Sequence, residues 1–241
     1  MKDQYSVFIN AGAVVLLAND MLEQERRDVL SSVLFAQLVA NKKYPALSQS
    51  GEWYGAYREV LQNGWLQRAV AWDRFTLNAS EKCNIIAWVE KQLEAHVDRT
   101  IVTDVTRLLN RVAQLSCTLP AIDLLREHVQ GPRQPEPAKT TVERGYRVRL
   151  QVILAQPGPV LNSVCVDFEA GQVTSNPLGA LFSTDQVLGN IQLRCFQANL
   201  SDALYAPLRD AIVKKLGGKA TENIFDISDA VEHQVSRAVS L

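Results

Sequence analysis

The sequence predicts an α+β protein in which an antiparallel sheet of four or five strands is covered by N-terminal and C-terminal helices. Three observations carry that expectation. Apolar residues recur at three- and four-residue spacings through most of residues 1–129, and at two-residue spacings through much of 142–241. Between these regions QGPRQPEPAKTT (130–141) holds three prolines and a glycine, and reads as a linker. The 241 residues are expected to form a single domain, with a helical half at 1–129 and a β-rich half carrying the C-terminal helices at 142–241. A chain of this length buries roughly 70–75% of its extended surface and needs no covalent staple.

The first apolar run, VFINAGAVVLLA (7–18), reads as a buried helix or strand. Its flanks are not those of a signal peptide, since MKDQYS is nearly neutral and NDMLEQERRD is strongly charged with no small-residue cleavage site. It also falls short of the roughly 20 residues that span a bilayer. In EQERRDVLSSVLFAQLVANKKYP, the positions of Val29, Leu30, Val33, Leu34, Leu38 and Val39 describe an amphipathic helix that Pro45 stops. SGEWYGAYREVLQNG follows as a second helix, with Trp53, Tyr57, Val60 and Leu61 on one stripe, Ser50 as its cap and Gly64 as its end. WLQRAVAWDRFTL alternates Leu66, Arg68, Val70, Trp72 and Arg74 and reads as a strand.

Helices are next expected in ASEKCNIIAWVEKQLEAHV, where Cys83 lines up with Ile86, Val89 and Leu93, in RTIVTDVTRLLNRVAQL, and in AIDLLREHV behind Pro120. Past the linker, RGYRVRLQVILAQ turns Tyr146, Val148, Leu150, Val152 and Leu154 inward and Arg147, Arg149 and Gln151 outward. Pro157 and Gly158 occupy the two central positions of a type II turn, so LNSVCVDFEA should return antiparallel. Short strands follow at PLGALFS and NIQLRCFQANL. The chain then returns to helix in SDALYAPLRDAIVKKLG, with Ser201 as cap and Leu204, Leu208, Ile212 and Leu216 inward, and again around ISDAVEHQVSRAV.

Composition removes several functions. With 25 basic and 26 acidic residues the net charge is −1, and the short basic clusters lie on amphipathic helices, so no nucleic-acid footprint exists. The cysteines at 83, 117, 165 and 195 lack the spacing of a zinc site, and with His96, His128 and His233 as the only histidines no metal centre is expected. LGGK at 216–219 lacks the remainder of a phosphate-binding loop and reads as a helix C-cap.

Cys165 is the residue with chemical interest. On its strand Val160, Val164, Val166 and Phe168 make the apolar set, which leaves Leu161, Ser163, Cys165, Asp167 and Glu169 on the other face. A free thiol facing bulk water is oxidisable, so that face is either covered by the helical half or lines a cavity. Cys165 is then a small core residue or a reactive one. Cys195 shares its face with Ile191 and Leu193 and reads as core filler.

DVLSSVLFAQLVANKKYP, EWYGAYREVLQNGWLQ, GALF and LYAPLRDAIVKKLG together resemble the Evf-type bacterial insect virulence factors, over about residues 28–227. That resemblance implies an α+β protein in which a buried cysteine carries a palmitate-like fatty acyl group as a thioester, and Cys165, on the strand ahead of GALF, is the matching position. Ser163 and Asp167 would flank the sulfur. Trp72 and Trp88, with Cys195, are candidates to line the acyl chain. The partners implied are a fatty acid or acyl donor, with a membrane or host protein as target and no nucleic acid. Two alternatives stand beside a lipid-carrying effector. One is a cysteine-dependent acyltransferase or thioesterase with a transient acyl-enzyme, whose base would be His128 or His233. The other is a protein-interaction module without a small-molecule site. The chain is expected to be cytoplasmic, or exported without a signal peptide.

Overall fold

The computed structural model describes residues 3–77, 82–132, 145–183 and 186–238. Its centre is an eight-stranded sheet. The strands in chain order are β1 (Tyr5–Asn10), β2 (Ala13–Ala18), β3 (Trp65–Phe75), β4 (Lys82–Cys83), β5 (Gln130–Pro132), β6 (Tyr146–Gln156), β7 (Val160–Ala170), β8 (Phe182–Ser183), β9 (Val187–Leu200) and β10 (Ile224–Asp226). Neighbours run β10-β1-β2-β6-β7-β9-β3, and β5 pairs with the start of β6 beyond the reach of β2. β4 and β8 form a separate two-stranded ladder.

This corrects the expected sheet of four or five antiparallel strands. The sheet is larger, and β2 runs parallel to β6. The missing strands left little periodic signal. Every residue of β2 is buried, so the run shows no alternation, as expected for a strand covered on both faces. β5 and β10 are only three residues long. The turn between β1 and β2 is held from outside. The Gln37 side chain accepts from the Gly12 N–H at 3.0 Å and donates to the Asn10 carbonyl at 2.9 Å. Ala11 takes a φ of 50° there, a backbone region that non-glycine residues enter only under external constraint.

The helices are α1 (Glu23–Lys43), α2 (Ser50–Leu61), α3 (Ile85–Leu93), α4 (Arg99–Ala113), α5 (Pro120–Val129), α6 (Asp202–Leu216), α7 (Lys219–Asn223) and α8 (Ser228–Ala238). Ser50 begins α2 but does not cap it: Gln49 is the cap, and the buried Ser50 hydroxyl has no partner. Gly64 ends that region for a steric reason, since a Cβ there would stand 2.6 Å from the Tyr205 ring. Tyr205, not the half-exposed Leu204, anchors α6 together with Ile212 and Leu216. Gly217 caps α6 at φ 48°, as the sequence suggests. Of the expected linker, 130–132 form β5, and 133–141 lie outside the described residues.

The β6–β7 hairpin follows its turn chemistry, with Gly158 at φ 90° and Gln156 opposite Val160. That register places the residues of interest. α1 and α2 cover one face of the sheet, through the bond from the Trp65 indole to Ser32 and the packing of Tyr57 against Phe196. α3 covers the other through Trp88 on Phe168, and α4 packs behind it.

Candidate functional site

Directly opposed residues of antiparallel strands share a face. Across β6, β7, β9 and β3 one row therefore reads Gln151, Cys165, Arg194 and Trp72. On one side of it stand Arg149, Asp167, Gln192 and Arg74, and on the other Ile153, Ser163, Phe196 and Val70. The helix α2 lies over these rows with Trp53, Tyr54 and Tyr57 facing down, Trp53 stacked on Tyr57 at 5.3 Å. Cys165 is fully buried beneath them, with 0% exposure.

The face is rich in charge. Asp167, fully buried, accepts from Arg147 at 2.8 and 2.9 Å and from Arg194 at 3.1 Å. A carboxylate held between two guanidiniums offsets desolvation that neither ion could bear alone. Arg147 also donates to Glu169 at 3.1 Å. Arg194 lies between two rings, Tyr54 and Trp72, each 5.5 Å from its guanidinium carbon. Arg149 lies 3.8 Å over the Trp53 ring and forms no ion pair among the described residues.

Several buried atoms here have no hydrogen-bond partner: both amide atoms of Gln151, the Ser163 Oγ, the hydroxyls of Tyr54 and Tyr57, the Arg149 Nη1 and the Arg194 Nε. The Tyr57 hydroxyl approaches the Gln151 amide without forming a well-aligned bond. Burial, with Asp167 adding, pushes the Cys165 thiol up to about 12 against the pull of Arg194 and Arg149. At neutral pH it is a protonated thiol, not a nucleophilic thiolate. Burial also raises both tyrosines and lowers Arg149 to about 10. A cavity of about 10 Å³, bounded by Gly12, Gln37, Asn41, Trp53, His128, Arg149 and Gln151, has room for a single water at most.

Of the residues singled out by sequence, Ser163, Cys165 and Asp167 share this face. Cys195 and Trp88 do not. Cys195 faces the other way, opposite Val164 and Ala71, where its thiol donates to Gln92 at 3.5 Å and burial pushes it up to about 12. Trp88 packs among Phe75, Phe168 and Phe182, also on that second face. Trp72 is on the Cys165 row but at the sheet edge, 67% exposed. His128, at the end of α5, borders the small cavity beside Arg149 and Gln151, its pKa lowered chiefly by burial. His233 is exposed on α8, which packs against α4 and β1. The side chain of Cys83 lies outside the described residues.

The arginines, Gln151 and the α2 tyrosines escape a reading in which polar strand residues point to solvent. The signal for three of them was present. Once the turn at Pro157 and Gly158 sets the hairpin, counting back from it places Gln151 opposite Cys165, Arg149 opposite Asp167 and Arg147 opposite Glu169.

Among the described residues no helix is long and apolar enough to cross a membrane. The chain matches no protein-family model and no curated protein sequence. Among solved structures it is similar to a delta-endotoxin, with TM-score 0.44 and 8% identity over 79% of this chain and 81% of that one. It is also similar to the Evf virulence factor, with TM-score 0.31 and 13% identity over 93% of this chain and 86% of that one. At these scores neither likeness assigns the chain to a family.

Proposed function

We infer that the chain is a virulence-type protein of the Evf kind that holds a fatty acyl group as a thioester on Cys165. The observation that supports this reading is the set of unpartnered buried groups around that sulfur. Gln151, Ser163, Tyr54 and Tyr57 offer N–H and O–H donors to a thioester carbonyl, and burial excludes the water that would hydrolyse it. In the loading step the Cys165 sulfur attacks the carbonyl carbon of an acyl-thioester donor, the donor's thiol departs, and the Cys165 proton ends on that thiol. A thiol buried this deeply is a poor nucleophile, so loading belongs to an arrangement in which α2 has lifted from the sheet. The acyl chain then replaces part of the packing beneath α2, each buried methylene contributing about 0.8 kcal/mol. Slow access favours a held acyl group over rapid turnover.

The test is intact mass of the wild type and of Cys165→Ser under denaturing conditions, before and after hydroxylamine. The wild type should carry a hydrophobic adduct that hydroxylamine releases, and Cys165→Ser should carry none. An unmodified wild type returns Cys165 to the core. That second reading, an interaction module whose Cys165 stays a thiol, is favoured by the complete closure of the site in the structure.

A further inference from the structure

We propose that the cleft floored by Arg149 binds a small carboxylic acid, its carboxylate on the guanidinium and its apolar body against Pro45, Ala46 and Leu47. The cleft measures about 490 Å³, within the range of small-molecule sites. Asn41, Pro45, Ala46 and Leu47 line it from one stretch of chain and the end of α5 with β5 from another, the two meeting where the Leu47 side chain packs against Gly131. Arg149 borders both this cleft and the small cavity beneath it.

The argument begins with an unmatched charge. Arg147 and Arg194 share Asp167, whereas Arg149, only 6% exposed, has no carboxylate within ion-pair distance among the described residues. Its Nη1 has no partner, and its Nη2 makes one long bond of 3.5 Å to the Asn41 Oδ1, an oxygen already taken by the Trp53 indole at 2.6 Å. The Trp53 ring holds the guanidinium plane from one side. A lone buried cation is costly, and one kept at the floor of a cleft is matched by an anion arriving from outside.

Charge and shape select which anion. One positive charge is unmatched, and burial, with Arg149 adding, lowers the pKa of the neighbouring His128 against the opposing pull of Asn223 and Glu127. Glu127 stands exposed on the rim, forming no ion pair with Arg149. The fork would receive a carboxylate or a phosphate bidentately, but a monoanion matches the single unmatched charge where a phosphate dianion would bring a second, uncompensated one. The apolar wall calls for a short hydrocarbon body on that carboxylate. The inference does not depend on acylation of Cys165.

Calorimetric titration of the full chain with hexanoate, acetate and inorganic phosphate at pH 8 tests it. Hexanoate should bind more tightly than acetate, and acetate more tightly than phosphate. Arg149→Met should weaken hexanoate at least about tenfold by removing charge-assisted bonds, and Arg149→Lys should fall between. Ala46→Trp, on the half-buried wall at the cleft mouth, leaves Arg149 in place and should also weaken hexanoate. If Arg149→Met fails to fold, the lysine and tryptophan variants decide alone. Wild type that ignores hexanoate, or variants that bind it as well as wild type, would overturn the proposal, and preferential binding of phosphate would overturn the carboxylate assignment. Cys165→Ser should bind hexanoate as wild type does, which separates this outcome from the fate of the acyl reading.

Discussion

At β7 the two faces of the central sheet are equally buried but filled by opposite means. Behind Val164 and Val166 the strands meet α3 through an aromatic cluster, Phe75, Trp88, Phe168 and Phe182, with ring centroids 4.9 to 6.3 Å apart. Behind Cys165 the same strands meet α2 through guanidiniums, a carboxylate and unpartnered amide and hydroxyl groups. An apolar face of this kind tolerates a lost contact in proportion to volume. A polar face tolerates almost nothing piecemeal, because removing one ion leaves its partners charged and dry. An interior that fold stability alone does not require is the place to look for function.

Substitutions can break that contrast. Phe168→Ala and Asp167→Asn should each destabilise by about 3–5 kcal/mol in urea unfolding, the first through a cavity and the second through uncompensated arginines. They should differ in repair: an apolar side chain of intermediate size at 168 should recover part of the loss, and no apolar residue at 167 should recover any. Equal rescue at both positions would erase the distinction between the faces.

A smaller effect comes from alkaline pH. The Cys165 thiol is raised from an ordinary value of 9.0 to about 12 in the folded chain, so it keeps its proton better when folded. The stability it contributes is full below pH 9 and is lost as pH rises from there toward 12. Tyr54 and Tyr57 shift in the same direction, so the diagnostic quantity is the difference between wild type and Cys165→Ser across that window. Wild type should lose more stability than the serine variant, and parallel curves would show that the sulfur is less dry than its position suggests. The smallest effect is expected at Trp72→Ala, which removes a largely exposed ring and one cation–π contact with Arg194, for about 1 kcal/mol or less.

What could be read in advance follows the same division. Spacing located α1, α2, α6 and the paired strands β6 and β7, because apolar residues recur along each at the period of its element, even where a cap such as Ser50 or an inward position such as Leu204 was misplaced. The all-buried β2 was legible as apolar but not as a strand, and its parallel partner lies more than a hundred residues away. Alternation correctly separated Cys165 from Val164. It could not say that the polar face was covered, since Arg149 and Gln151 look the same in sequence whether water or Trp53 lies above them.

The β2–β6 pairing also constrains how the chain is made. The first eighteen residues contain two strands buried almost throughout, yet the ladder that completes their side of the sheet is at residues 151–155. At ribosomal speeds of about 5–20 residues per second, that hairpin waits on the order of ten seconds for its partner to be synthesised. Its exposed edge and apolar faces are then the part of the nascent chain most open to wrong pairing or chaperone capture. Refolding from denaturant has the same long loop to close, so it should be slower than for a fold of purely local contacts.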